Sequence, residues 1–173
     1  MPKGVTKTIE TMRVANETII EQADDEEIKG EEDIDEFSSY FKHETTPKIL
    51  VTTNRRPKGG IFKFLMEMKQ TIPNFYYYER KNFKVKDIIE WGKARDFTDL
   101  MLFYEKHGKP HTLILSHLPS GPTATFRVSG IKSRLEISGH GNPTEHDPEL
   151  IMNNFDTMLG HRIGRMFAAL FPQ

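Results

Sequence analysis

The order of the short apolar segments is the feature that most limits the folds open to this chain. Segments rich in β-branched and aromatic residues alternate with segments whose apolar residues recur at helical spacing. This order of strand, helix, strand, helix, strand and two further strands predicts an α/β fold with a mixed sheet of at least five strands. The strand-like segments are 48–53, 75–79, 99–104, 112–118 and 123–128, and the helix-like ones are 61–70 and 85–95.

The last part of the chain predicts a loop and two more helices. Residues 139–148 are polar and contain glycine and proline, as loops do. Residues 149–158 and 159–171 have helical patterns, and the second places Ile163 and Met166 on an inward face.

Length and composition exclude several classes of protein. A chain of 173 residues with 36% hydrophobic residues is sufficient for one domain with tails. The absence of cysteine excludes disulfides and thiolate metal sites. Apolar runs span only a few residues, and residues 1–7 lead into polar sequence, so we predict neither a membrane helix nor a secretory signal. A soluble intracellular protein is expected.

The charge is divided unequally along the chain. Residues 1–47 hold 5 Lys and Arg against 13 Asp and Glu, a balance of −8. Residues 48–173 hold 19 against 12, a balance of +7, and the two balances give the overall −1. An acidic segment attached to a basic body is predicted, and a basic body is a candidate for binding polyanions.

The change in composition at Pro47 predicts a domain boundary. Residues 1–46 would form an acidic, largely extended or disordered arm, and residues 47–173 the folded body. Two interpretations of the arm stay open, because the charged run 21–36 is either a solvated leader or part of a segment that folds onto a partner. The second interpretation rests on apolar residues among the charges. Its predicted partner-binding residues are Phe37, Tyr40 and Phe41.

Two basic clusters follow the first two predicted strands. The loop NRRPKGG (54–60) lies between a strand and a helix, where helix-start N–H groups favour phosphate, although it lacks the spacing of nucleotide-binding loops. Residues 55–95 hold 11 basic against 4 acidic residues, which favours RNA, while solvated loop charges remain the alternative. Tyr76–Tyr78 can stack bases, although strand alternation turns at least one ring to the core. The candidate RNA-binding residues are Arg55, Arg56, Lys58, Arg80, Lys81, Lys84 and Lys86, with Arg162 and Arg165 in the last helix.

No pattern of residues predicts catalysis. The seven histidines show no metal-ligand spacing, so no metal and no cofactor are predicted. His111 and His117 lie on one face of a predicted strand, but Ser116 lacks the glycine-flanked turn that exposes a nucleophile. The chain is therefore predicted not to be an enzyme.

Several motifs in fixed order resemble one protein family. They are PKILVTTNRRP (47–57), IPN (72–74), ARDFTDLMLFYE (94–105), LILSHLPSGPTATFRV (113–128) and NNFDTMLGHRIGRMFAALFP (153–172). From residue 35 onward the chain resembles the Brix-domain family of ribosome assembly factors. The segments 35–53 and 142–155 are similar to one subgroup of that family.

The resemblance implies a fold and a function. A complete Brix domain has two similar halves, each like an anticodon-binding domain, and this chain resembles the first half plus the helix that leads into the second. An isolated half is expected to be poorly stable. The implied function is a non-enzymatic nucleolar factor that binds precursor rRNA of the large ribosomal subunit.

The resemblance also implies protein partners. These are a nucleolar protein of the maintenance-of-killer type, other assembly factors of the large-subunit precursor, and ribosomal proteins. The alternative is a protein-interaction scaffold within the precursor particle that makes little direct contact with RNA.

Overall fold

A five-stranded mixed sheet forms the centre of the molecule. The computed structural model describes residue 30, residues 32–144 and residues 146–172. The strand order is β2-β1-β3-β4-β5, with β1 parallel to both neighbours and the β3–β4 and β4–β5 pairs antiparallel. The predicted α/β fold and its mixed sheet are confirmed. The strands are β1 (Ile49–Thr53), β2 (Phe75–Tyr77), β3 (Asp99–Lys106), β4 (Lys109–His117) and β5 (Thr123–Arg127).

Helices cover both faces of this sheet. On one face, Ile61 and Leu65 from one helix and Met166 from another join a large apolar core. On the other face, Ile88 packs with Leu50 in a smaller core. The helices are α1 (Ser38–Phe41), α2 (Gly59–Thr71), α3 (Val85–Lys93) and α4 (Met158–Ala168), with a 3-10 turn at Arg134–Glu136. Among the described residues, none of these helices has the length and apolar character to cross a membrane.

The burial of β1 explains why its sequence is a continuous apolar run. Ile49 and Val51 face the large core, whereas Leu50 faces the small one. A strand between two parallel neighbours, with helices on both faces, is buried on both sides and therefore shows no polar alternation. All five residues of β1 are buried.

One predicted helix is absent. Residues 149–156 form neither helix nor strand, and α4 begins only after Thr157. Asn154 has a φ of 62°, a left-handed conformation that interrupts a right-handed helix. The Thr157 hydroxyl then accepts a 3.0 Å hydrogen bond from the N–H of Gly160 and caps α4.

The described part of the acidic arm packs against the body. Phe37 has an exposed fraction of 0%, and Tyr40 is also buried in the large core. The predicted boundary at Pro47 therefore differs from the structure, in which the packed body already includes residues 37–46. The arm was expected to be extended, but residues 38–41 form helical hydrogen bonds in α1 and the rings of Phe37 and Tyr40 are buried. The remainder of the predicted arm, residues 1–29, lies outside the described residues.

Candidate nucleic-acid interface

The carboxyl ends of β1 and β2 bring two basic loops to one edge of the sheet. These strands are parallel neighbours with Ile49 opposite Phe75 and Val51 opposite Tyr77, so the loops that follow them leave on the same side. Residues 54–58 follow β1, and residues 78–84 follow β2. We call the exposed cations of this region the basic edge: Arg55, Arg56, Lys58, Lys81, Lys84 and Lys86.

A carboxylate occupies the start of α2. The backbone N–H of Lys58 donates to both carboxylate oxygens of Glu105, at 3.0 and 2.9 Å. The prediction that this helix start is open to a phosphate is therefore wrong at Lys58, because the end of β3 supplies the anion. The contribution of this loop to binding must come from its exposed side chains, which the structure leaves at the surface.

The β3–β4 turn approaches the start of α2 closely at Gly60. A Cβ atom at this position would overlap the carbonyl oxygen of Gly108, whereas a Cβ at Gly59 would meet nothing within 4 Å. We expect Gly60→Ala to lower the free energy of unfolding by about 1–3 kcal/mol, because backbone atoms must move apart. Urea unfolding measures this, with Gly59→Ala as the matched control. Equal stabilities of the two variants would contradict this close approach.

Arg80 differs from its predicted role. Its side chain is only 8% exposed, and Nε donates a 3.2 Å hydrogen bond to the carbonyl of Phe83. A second nitrogen, Nη1, lies 3.4 Å from the hydroxyl of Tyr104. The guanidinium therefore holds the loop after β2 in shape, and the exposed cations of that loop are Lys81 and Lys84.

The two arginines of α4 pair with the acidic segment. Arg165 donates to both carboxylate oxygens of Asp35 at 2.8 and 2.9 Å, and its guanidinium lies 4.3 Å from the ring centre of Phe41. Arg162 donates to Glu36 at 2.6 Å. The mostly buried pairing of Arg165 differs from the predicted RNA-binding role, whereas the Arg162 side chain is 58% exposed and its RNA-binding role stays a prediction.

A buried polar pair lies beneath α1. Asp99, at the start of β3, accepts a 2.7 Å hydrogen bond from the Thr98 hydroxyl and lies 2.9 Å from Nδ1 of His117. A carboxylate only accepts, so Nδ1 of His117 is the donor. The ring centres of Phe37 and Tyr40 lie 5.1 and 5.6 Å from that of His117.

The predicted partner-binding residues thus contact the chain's own body. Phe37 and Tyr40 are buried, and Phe41 is half-buried against Arg165. This packing differs from the prediction that the three residues are exposed anchors for another protein.

Burial raises the pKa of Tyr40 to about 12, and the negative charge of Asp99 acts in the same direction. The neutral phenol is favoured in the folded state, so this contribution to stability is complete below pH 10 and is lost as the pH rises toward 12. Over that pH interval, we expect the free energy of unfolding of the unsubstituted chain to fall by about 2–3 kcal/mol more than that of the Tyr40→Phe variant. Urea unfolding at a series of alkaline pH values measures the difference, and parallel curves for the two proteins would contradict it.

Exposed aromatic rings lie beside the basic edge. Tyr77 is half-buried toward the large core, as strand alternation predicts, whereas Tyr76 and Tyr78 are exposed and contact Phe97 edge-on. Phe83 and Trp91 form a further edge-on pair with ring centres 4.8 Å apart. The sequence did not single out these two rings, since Trp91 has the spacing of a core position on α3.

The histidines do not assemble a catalytic or metal centre within the part of the chain that the structure describes. Ser116 pairs with Thr123 at 2.7 Å, and His117 pairs with Asp99. Among these described residues, no group of three histidine, aspartate or glutamate side chains has the arrangement of metal ligands.

The structure is an α/β domain whose mixed sheet has exposed cations beyond the carboxyl ends of β1 and β2. Residues 35–173 match the Brix domain family, and the chain belongs to that family. The resemblance noted in the sequence is confirmed.

Relatives and a solved structure agree with this assignment. The chain is 51% identical over 172 residues to ribosome production factor 1 of Pongo abelii, covering 99% of this chain and 49% of that protein. It is 39% identical over 176 residues to ribosome production factor 1 of Saccharomyces cerevisiae, covering 100% and 57%. The chain thus spans about half the length of these curated relatives.

The crystal structure of a probable ribosomal biogenesis protein from Aeropyrum pernix K1 superposes with a TM-score of 0.50 and 23% identity. The superposition covers 61% of this chain and 60% of that one. This likeness supports the fold.

Proposed function

We propose that this chain is a non-catalytic ribosome assembly factor that binds precursor rRNA of the large subunit through its basic edge. Membership of the Brix domain family and the names of the relatives support a role in ribosome production. The observation that carries the RNA-binding role is that parallel pairing of β1 and β2 gathers two separate basic loops at one edge.

The basic edge is suited to phosphates rather than to base sequence. Its cations are long, exposed side chains on two loops and, at Lys86, in the first turn of α3. Such side chains can follow a nucleic-acid backbone without reading base edges. Neutralised phosphates release counterions, so this binding must weaken as salt rises. Recognition of the correct RNA then depends on its shape and on neighbouring proteins.

Removing one cation from each loop tests the edge directly. We expect the double variant Arg56→Ala, Lys84→Ala to bind single-stranded RNA more weakly, and the slope of log K against log salt to fall by about 0.7 per lost phosphate contact. Fluorescence anisotropy with labelled RNA at several salt concentrations measures both quantities.

The matched control for this variant is the double variant Lys69→Ala, Lys93→Ala, which removes two exposed cations from the last turns of α2 and α3. Lys69 is exposed in the last turn of α2, about 15 Å along that helix from its start at the basic edge. If the slope of log K against log salt fell equally in the control and in the tested variant, RNA would be attracted by the overall charge and not by the basic edge. An unchanged slope in Arg56→Ala, Lys84→Ala would contradict the proposed interface.

Protein contacts form the second part of the proposed function. Ile151 and Leu159 are more than two-thirds exposed, at 76% and 71%, and apolar surface of this kind favours contact with another polypeptide. The partners proposed are a nucleolar protein of the maintenance-of-killer type and other large-subunit assembly components, and the location proposed with them is the nucleolus.

Ultraviolet crosslinking of the tagged chain in cells tests this function as a whole. We expect large-subunit precursor rRNA among the attached sequences and a nucleolar protein among the co-purifying chains. Recovery of the protein without crosslinked RNA would favour the alternative of an interaction scaffold.

A further inference from the structure

A small pocket opens beside the basic edge, between α3 and the ends of β1 and β2. Its volume is about 280 Å³, just below the usual range of ligand clefts, so it has room for a single small ring system. Leu50, Ile88 and Phe97 supply its apolar base. Exposed rings of Tyr78, Phe83 and Trp91 line its sides.

A buried hydroxyl in the pocket has no partner. Thr52 lines the pocket and is 1% exposed, and its Oγ1 makes no hydrogen bond within the part of the chain that the structure describes. Leu50 and Thr52 lie two residues apart on β1, so their side chains leave the same face of the sheet. A buried polar group without a hydrogen bond is costly, which favours a ligand that brings a donor or an acceptor.

The charge around the pocket indicates the class of ligand. Lys81 and Arg95 line it as exposed cations, against Glu79 as the carboxylate of the lining. Lys84 of the basic edge lies next to Phe83 in the chain. An apolar side chain of a partner protein would gain nothing from these cations, whereas a nucleotide brings a ring and a phosphate together.

We propose that this pocket takes one unpaired nucleobase of the RNA whose phosphates lie on the basic edge. The inference rests on the proposed function and adds a preference for single-stranded over double-stranded RNA. The base stacks on the exposed rings, and its polar edge pairs with the hydroxyl of Thr52. Arg80 acts as a positioning residue, because its hydrogen bond to the Phe83 carbonyl fixes the loop that carries that ring.

The chain contains a natural reporter for this pocket. Trp91 is its one tryptophan and is 43% exposed in the pocket wall. We expect a single-stranded RNA of about 12 nucleotides to quench the tryptophan emission of the 173-residue chain, because a base stacks near the indole. An abasic oligomer of the same length keeps the phosphates, so it should bind without quenching.

Substitutions distinguish the contribution of base stacking to affinity from that of the phosphate contacts. We expect Phe83→Ala to raise the dissociation constant for the base-containing RNA about 5- to 150-fold and to leave the abasic oligomer unaffected. Phe62→Ala is the matched control, since Phe62 is 38% exposed against 45% for Phe83 and lies on α2, on the opposite face of the sheet. It should change neither affinity.

The isosteric variant Thr52→Val removes only the hydroxyl. It should weaken binding of the base-containing RNA while leaving the fold at least as stable, because a buried unpaired polar group is lost. This variant therefore tests the pocket without the risk that a cavity unfolds the chain.

Anisotropy and tryptophan emission together distinguish the possible failures. If the base-containing RNA bound without a change in Trp91 emission, and Phe83→Ala left its affinity unchanged, the pocket proposal would be overturned. The phosphate interface would still stand, and the pocket would then be assigned to an apolar side chain of a partner. Absence of binding by either oligomer would overturn both the pocket and the proposed function.

Discussion

Replacing Phe37 by alanine is expected to lower the free energy of unfolding by about 3–5 kcal/mol, the usual range for truncating a fully buried phenylalanine. The ring is 0% exposed and belongs to the large core together with residues of β1 and α4. Its loss removes the ring contact with His117 and opens a cavity under α1. Urea unfolding followed by circular dichroism measures the change.

Phe62→Ala is the control for this prediction, because Phe62 is a phenylalanine of the same domain that is exposed on α2. We expect its effect to be well below that of Phe37→Ala. If Phe37→Ala instead left stability unchanged and abolished capture of a partner protein, the sequence interpretation of Phe37 as an anchor for another chain would be correct and the packing described above would be contradicted.

The strands and three helices, at 61–70, 85–95 and 159–171, were predictable because their signals are local. The run 48–53 is apolar and β-branched, and residues 61–70 repeat apolar positions at helical spacing. The structure confirms both, with β1 at Ile49–Thr53 and α2 at Gly59–Thr71. The helix predicted at 149–158 is wrong, because Asn154 has a left-handed backbone conformation that the spacing of apolar residues does not indicate.

The candidate site was only partly predictable, because a sequence shows which residues are charged but not which of them pair with a distant residue of opposite charge. Both basic loops were identified by composition, and the parallel pairing of β1 and β2 explains why they meet. Arg165 was assigned to RNA because nothing local indicates that Asp35, 130 residues earlier in the chain, accepts its hydrogen bonds. Arg80 and Lys81 are sequence neighbours, yet one is buried and the other is exposed.

The same long-range pairing joins acidic residues that precede β1 to the last helix. Asp35 and Glu36 lie against α4, where they pair with Arg165 and Arg162. Asp99 and His117, which contact α1, lie at the amino ends of the parallel strands, and the basic edge lies at their carboxyl ends. Within the part of the chain that the structure describes, Asp35 and Glu36 therefore pair with α4 and not with the basic edge.

Replacing Asp99 by alanine is expected to lower the free energy of unfolding by about 3 kcal/mol, the upper end of the range for leaving a buried hydrogen-bond donor without its acceptor. Asp99 is fully buried and accepts from both Thr98 and His117. Its loss leaves the buried Nδ1 donor of His117 without an acceptor, whereas the Thr98 hydroxyl keeps the carbonyl oxygen of Lys48 at 3.2 Å. Asp99→Asn should lose less, because its amide oxygen still accepts a hydrogen bond, and Asp156→Ala, at an exposed aspartate, should lose little.

Urea unfolding of these variants, alone and combined with Phe37→Ala, tests whether Asp99 and His117 stabilise the fold together with Phe37. Phe37 and Asp99 both contact His117, so the double variant should lose less than the two single losses together. The salt dependence of RNA binding should stay unchanged in Asp99→Asn, because the pair lies at the edge opposite the basic loops. Strictly additive losses would show that Phe37 and Asp99 support the fold independently, and a changed salt dependence would place His117 and Asp99 within the RNA interface.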